Sequence, residues 1–173
     1  MRRVLMISPH FPPDTSAGTH RVRLFAPHLI EYGWEPTVVS VEPSGYEGRL
    51  DPDLATLVPD TVRVVRVPAW NAGVTRRIGI GDLGLRAFAG LRRACFRLMA
   101  EERFDLVFIT IYPTYPAMLG PMLKQRHRVP FVLDIWNLDN LARGAAAVDT
   151  EPVIRAALEL AAFEERRIYY GIE

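Results

Sequence analysis

Three short segments combine residue types that can bind a polar ligand, and each directly follows an apolar run of strand length. The first spans residues 8–21, where the small residues Ala17, Gly18 and Thr19 leave backbone amides open to an anion such as a diphosphate. His20 and Arg21 follow at once. Arg21 suits a phosphate or carboxylate partner, while His20 is either a ligand contact or a helix-surface residue. The second segment, Ile111-Tyr112-Pro113-Thr114-Tyr115-Pro116, carries two Tyr-Pro steps. These predict a rigid, extended turn whose aromatic faces either form a platform for a sugar or lipid-linked acceptor or pack against the next helix. In the third, residues 134–140, Asp134, Trp136 and Asn137 put carboxylate, indole and amide groups together. That set fits a polyol, which offers hydroxyls and an apolar face; the alternative is a capped loop before a helix.

Other chemistries find little support. The four histidines, His10, His20, His28 and His127, show no i, i+4 ligand pair with a Glu, and there is no Gly-x-Ser-x-Gly elbow. The lone Cys95 rules out an intrachain disulfide and multi-cysteine metal motifs, and reads as a core residue. The loop at residues 8–21 lacks the spacing of both the dinucleotide fingerprint and the Walker-type P-loop.

The elements that must position these segments alternate. Apolar runs at residues 4–7, 37–41, 62–67, 106–111 and 131–133 are mostly separated by helical patterns, which predicts an α/β, Rossmann-like fold with a mostly parallel sheet and helices on both faces. Parallel sheets bind ligands beyond the carboxyl ends of their strands, where all three segments fall. The first helix is expected over residues 17–32, with Val22, Phe25, Leu29 and Ile30 inward, Gly33 as its stop, and a kink or late start at Pro27. Residues 42–60 and 69–81 read as irregular excursions. Residues 82–103 form a strongly periodic helix, with Arg86, Arg93 and Arg97 on one face and Ala87, Phe88, Leu91, Cys95, Leu98 and Met99 opposite. That basic face is either simply solvated or a contact for an anionic membrane. Residues 151–172 predict another long helix.

With 173 residues, 49% of them hydrophobic, the chain can build one domain with a substantial core. A net charge of +1 gives no reason to expect nucleic-acid binding. The apolar run after Arg2 and Arg3 is too short for a signal peptide, and none approaches the roughly 18 residues of a membrane span. A cytoplasmic location is expected, peripheral to the inner membrane face if the arginine row binds lipid.

Read in order, Phe11-Pro12-Pro13, Ala17-Gly18, His20-Arg21, Gly33-Trp34-Glu35-Pro36-Thr37-Val38, the 62–68 run, Phe104-Asp105-Leu106-Val107 and Pro130-Phe131-Val132-Leu133-Asp134 resemble the N-terminal, acceptor-side domain of family-4-like glycosyltransferases of the GT-B fold. The resemblance extends over residues 1–173. It implies a retaining transfer from a nucleotide-sugar donor to a glycan, lipid-linked or small-molecule acceptor. It also implies that no bound metal is required and that the leaving diphosphate is stabilised electrostatically. By position, the donor diphosphate would face Ala17, Gly18, Thr19 and Arg21, although many members carry Gly-Gly where this chain has Ala17-Gly18.

His20, Tyr112, Tyr115, Asp134, Trp136 and Asn137 are the acceptor or sugar candidates. The family often places His or Asp where Trp136 and Asn137 stand, and Asn cannot act as a general base at neutral pH. Most donor contacts in such enzymes lie on a C-terminal domain, so activity is expected to need that domain in cis or in trans. The chain is expected to stop short of it. Two other readings stand beside this one: a stand-alone nucleotide- or phosphate-binding Rossmann module, and a non-catalytic membrane-docking or scaffold domain using Arg86, Arg93 and Arg97.

Overall fold

The computed structural model describes residues 1–134. Five strands form one parallel sheet: β1 (Arg2–Ile7), β2 (Trp34–Val41), β3 (Arg63–Val67), β4 (Leu106–Thr110) and β5 (Phe131–Asp134), in the spatial order β3-β2-β1-β4-β5. The predicted runs thus all become strands. Two separate cores explain their continuous apolar character. Leu5 and Ile7 of β1 face one core and Val4 and Met6 face the other. The first core is closed by helices α4 (Leu83–Glu101) and α5 (Leu119–His127), the second by helix α1 (Ala17–Phe25) and the turns after it.

The chain builds outward from β1 through β2 to β3, then jumps back across β1 to lay down β4 and β5. The order therefore reverses between β1 and β4, and the loops leaving these two strands splay apart into a crevice. This topological switch point places residues 8–16 opposite residues 111–114.

The helices obey their local signals with two physical adjustments. α1 ends at Phe25 and continues as a 3-10 helix over Ala26–Tyr32, because Pro27 has no N–H to extend the α ladder. Gly33, at φ 79°, then stops it in the left-handed region as expected. The excursions hold short turns: α2 (Pro52–Thr56), capped by Asp51, and α3 (Ala72–Thr75), capped by Asn71. Asp82 caps α4, its carboxylate accepting the Leu85 N–H at 2.8 Å.

The arginine row on α4 needs correction. Arg93 and Arg97 are exposed, but Arg86 is buried at 3% exposure. Its guanidinium donates to the carbonyls of Trp70 (2.8 Å) and Gly45 (3.1 Å) and to Glu47 (2.9 Å). The two excursions fold over the first turns of α4 and cover the start of its basic face. Periodicity identifies a helix face but not how far along it a loop extends. Cys95 lies in the core, where burial pushes its thiol up to about 12. No helix among the described residues is long and apolar enough to cross a membrane.

Candidate functional site

Asp14 organises the loop that leaves β1. It is 2% exposed and accepts from His10 Nδ1 (2.5 Å), Ser16 Oγ (2.5 Å), the Ser16 N–H (3.3 Å) and Thr19 Oγ1 (3.2 Å). Burial pushes the carboxyl up, but the hydrogen bonds from His10 and Ser16 and the His10 charge outweigh it and hold Asp14 below its ordinary 3.8. An ionised carboxylate only accepts, so Nδ1 of His10 carries the proton that joins them. The ring's other nitrogen, Nε2, takes no hydrogen bond among the described residues. The imidazole is stacked between Tyr46 and Tyr112, at centroid distances of 5.9 and 5.7 Å and interplanar angles of 15° and 16°.

Two further side chains hold this loop down. The Tyr46 hydroxyl lies within hydrogen-bond reach of the Pro9 and Val41 carbonyls, Ser40 and the Phe11 N–H, and burial raises its pKa despite Ser40 and Arg66 beside it. Arg66 of β3 bonds the Val41 carbonyl at 3.0 Å and the Pro12 carbonyl, with its guanidinium over the Phe11 ring. The strand-end loop is therefore a fixed frame rather than a loose connection.

On the side of Tyr112, two cavities open against this frame. The larger, about 440 Å³, is bounded by Ala17, Gly18, His20, Arg21, Leu24 and Phe25 of α1, by Thr110, Ile111 and Tyr112 after β4, and by Asp134. Its walls are mainly apolar, with one ion pair: Arg21 Nη1 meets Asp134 Oδ1 at 2.8 Å. Burial raises the Asp134 pKa against the opposing pull of Arg21. The smaller cavity, about 240 Å³, is polar, lined by His10, Asp14, Ser16, Tyr46, Glu47, Asp82, Arg86 and Tyr112 among others. Tyr112 contributes to both.

The structure gathers Ala17, Gly18, His20, Arg21, Tyr112 and Asp134 at one cleft. Gly18 sits where the start of α1 passes closest to β4's exit loop; a Cβ there would meet the Tyr112 carbonyl and ring at 3.4 Å and the His10 Cβ at 3.5 Å. Thr19 departs from expectation. Its side chain is buried on Asp14 and its amide donates to the Ser16 carbonyl at 3.0 Å, leaving the Ala17 and Gly18 amides as the open donors of this helix start.

Tyr115 lines neither cavity. It opens a 3-10 turn over Tyr115–Met118, so the second Tyr-Pro step is helical rather than extended. The turn rests on α4 at Gly84, where a Cβ would come within 2.7 Å of both Pro113 and Pro116. Trp136 and Asn137, and the helix expected over 151–172, lie outside the described residues. The sequence reading missed His10 and Asp14 as a pair. Their four-residue spacing was visible, but it occurs in a Pro-rich loop, where spacing alone does not bring side chains together.

Comparison with known proteins accords with this architecture. The ligand-free UGT2 of Phytolacca americana superposes on 85% of this chain with a TM-score of 0.54 at 12% identity, a likeness of fold. The chain spans 34% of that structure's length. A type 1 encapsulin shell protein from Mycolicibacterium paratuberculosis is 48% identical over 46 residues, which is 27% of this chain and 17% of that protein, a local stretch that carries no assignment. The sequence profile of the glycosyl transferase 4-like domain matches residues 16–171. With a five-stranded parallel sheet, a cleft at its switch point and a profile match over residues 16–171, the chain belongs to the glycosyl transferase 4-like domain family.

Proposed function

We propose that this domain is the acceptor side of a glycosyltransferase that moves a sugar from a nucleotide-sugar donor to an acceptor hydroxyl. The observation that carries this reading is the meeting of Gly18, Tyr112 and His10 at the β1/β4 switch point, between an apolar cleft and a polar cavity. The Ala17 and Gly18 amides, at the positive end of α1, receive the donor diphosphate and favour the charge that grows on it as the glycosidic bond breaks. Arg21 and His20 line the same wall. The acceptor, a glycan, a lipid-linked sugar or a small molecule, lies against the Tyr112 ring. Its hydroxyl donates to His10 Nε2, which Asp14 keeps oriented and available as an acceptor. Loop amides and basic side chains stabilise the leaving group without a bound metal.

The remaining donor contacts come from a second, donor-binding domain, in the same polypeptide or in a partner. This follows the family resemblance. Calorimetric titration with UDP- and GDP-sugars, with and without a donor-binding domain, tests it. Binding or sugar turnover only when both domains are present is the expected result. Tight nucleotide binding by this chain alone would instead favour a stand-alone nucleotide-binding module.

A further inference from the structure

The excursion after β3 is patterned in reverse of an ordinary surface turn. Across α3 and the 3-10 turn Arg76–Ile78, the large apolar residues Trp70, Val74 and Ile78 are 58%, 64% and 71% exposed, while polar Thr75 is turned inward at 5%. One short excursion thus presents three large apolar side chains to solvent, more than the scattered singles of an ordinary surface. Residues 69–81 contain Arg76 and Arg77 and no Asp or Glu; Arg76 pairs with Glu47, whereas Arg77 is exposed and no carboxylate pairs with it among the described residues.

The excursion is also anchored. Trp70 and Arg86 exchange backbone and side-chain hydrogen bonds at 3.1 and 2.8 Å, and Glu47 bridges Arg76 (2.8 Å) and Arg86 (2.9 Å). The Thr75 hydroxyl donates to the Asn71 carbonyl at 3.2 Å, and Gly79, at φ 80°, turns the chain back. The apolar side chains are thus held outward by a folded base.

We propose that Trp70, Val74 and Ile78 insert into the interfacial layer of an anionic lipid bilayer, with Arg77 against the headgroups. A bilayer is favoured because an indole, two aliphatic side chains and the exposed Arg77 guanidinium beside them match the layered polarity of a charged membrane surface. This replaces the arginine row of α4 as the lipid-facing element, since Arg86 is committed to holding the excursion's base. The docking does not depend on the transferase reading. If that reading holds, the bilayer lies beside Gly81 and Asp82 at the rim of the polar cavity, which suits an acceptor carried on a membrane lipid.

The test is co-sedimentation of the full chain with vesicles of phosphatidylcholine, alone or mixed with phosphatidylglycerol, at low and high salt. Binding to the mixed vesicles, weaker at high salt, is expected. It should fall by about tenfold or more in a Trp70→Ser/Ile78→Ser variant, by about fivefold in Arg77→Glu, and stay unchanged in Arg93→Ala/Arg97→Ala. Circular dichroism confirms that the variants are folded, and quenching of the wild-type Trp signal by brominated lipid, lost in Trp70→Phe, locates the inserted side chain. Failure to bind anionic vesicles, binding undiminished by Trp70→Ser/Ile78→Ser, or dependence on Arg93 and Arg97 would each overturn the proposal. So would self-association that these serines abolish in the absence of vesicle binding, which would make the patch a protein interface.

Discussion

The two cavities at the switch point share Tyr112 yet treat their carboxylates in opposite ways. In the polar cavity, Asp14 is nearly buried but surrounded by donors, and its pKa is held down. In the larger cleft, Asp134 pairs with Arg21 between mainly apolar walls, and burial wins. The lesson is that exposure alone does not set a carboxylate's charge; the number and arrangement of donors decide it. For function, one cavity offers a fixed polar framework with a single available nitrogen at His10, and the other offers apolar surface beside open amides.

Removing the guanidinium that shapes the polar cavity should have the largest effect. Arg86→Ala leaves two buried carbonyls and Glu47 without it, and is expected to cost about 3 kcal/mol, read as a lower midpoint of urea unfolding. Arg93→Ala, one face-repeat further along α4, should stay within about 0.5 kcal/mol. Equal effects would mean that Arg86 is not buried as described. Next, Asp14→Ala strips the β1 loop of its hub and should cost about 2 kcal/mol and broaden the amide signals of residues 10–19 in NMR spectra, while the larger cleft's β5 wall is undisturbed.

Titration sharpens the contrast further. Because Asp14 is lowered in the folded state, its stabilising contribution is present above its ordinary 3.8 and is lost as the pH falls through its folded value. Asp134 is raised, so the folded chain holds its proton more tightly, and stability declines as the pH rises from 3.8 through the folded pKa. Carboxyl carbon NMR should show the two resonances titrating on opposite sides of 3.8. The same side for both would break the comparison. A small effect is expected at the partition itself: a Cβ at Gly18 meets Tyr112 at ordinary contact distance, so Gly18→Ala should change stability by under about 1 kcal/mol. Gly84→Ala, driven into two prolines, should cost about 1–3 kcal/mol by the same measurement.

Much of this arrangement was legible beforehand, and the exceptions share a cause. Apolar runs marked all five strands because both sheet faces are covered, and Gly33, Pro27 and Asp82 acted through local rules of φ, N–H supply and capping. The small residues Ala17 and Gly18 and the tyrosine Tyr112 drew attention because they follow strand-length runs, and they line one cleft. What was not legible depended on loops folding back on helices. Arg86 lies on the same helical face as Arg93, and only the excursions at residues 43–48 and 69–81 distinguish them. The pairing of His10 with Asp14 needs the turn through Pro12 and Pro13, and the outward set of Trp70, Val74 and Ile78 needs the Glu47 bridge beneath them.

The most direct test of the central claim, that the chemistry is centred on the β1/β4 switch point, is sugar transfer from a nucleotide-sugar donor by this domain joined or mixed with a donor-binding domain. Wild type is compared with Gly18→Val and His10→Phe, each checked for folding. The account predicts turnover by wild type, a steep loss in both variants, and a raised acceptor KM in His10→Phe. Full activity in both folded variants would contradict it and move the reacting centre elsewhere.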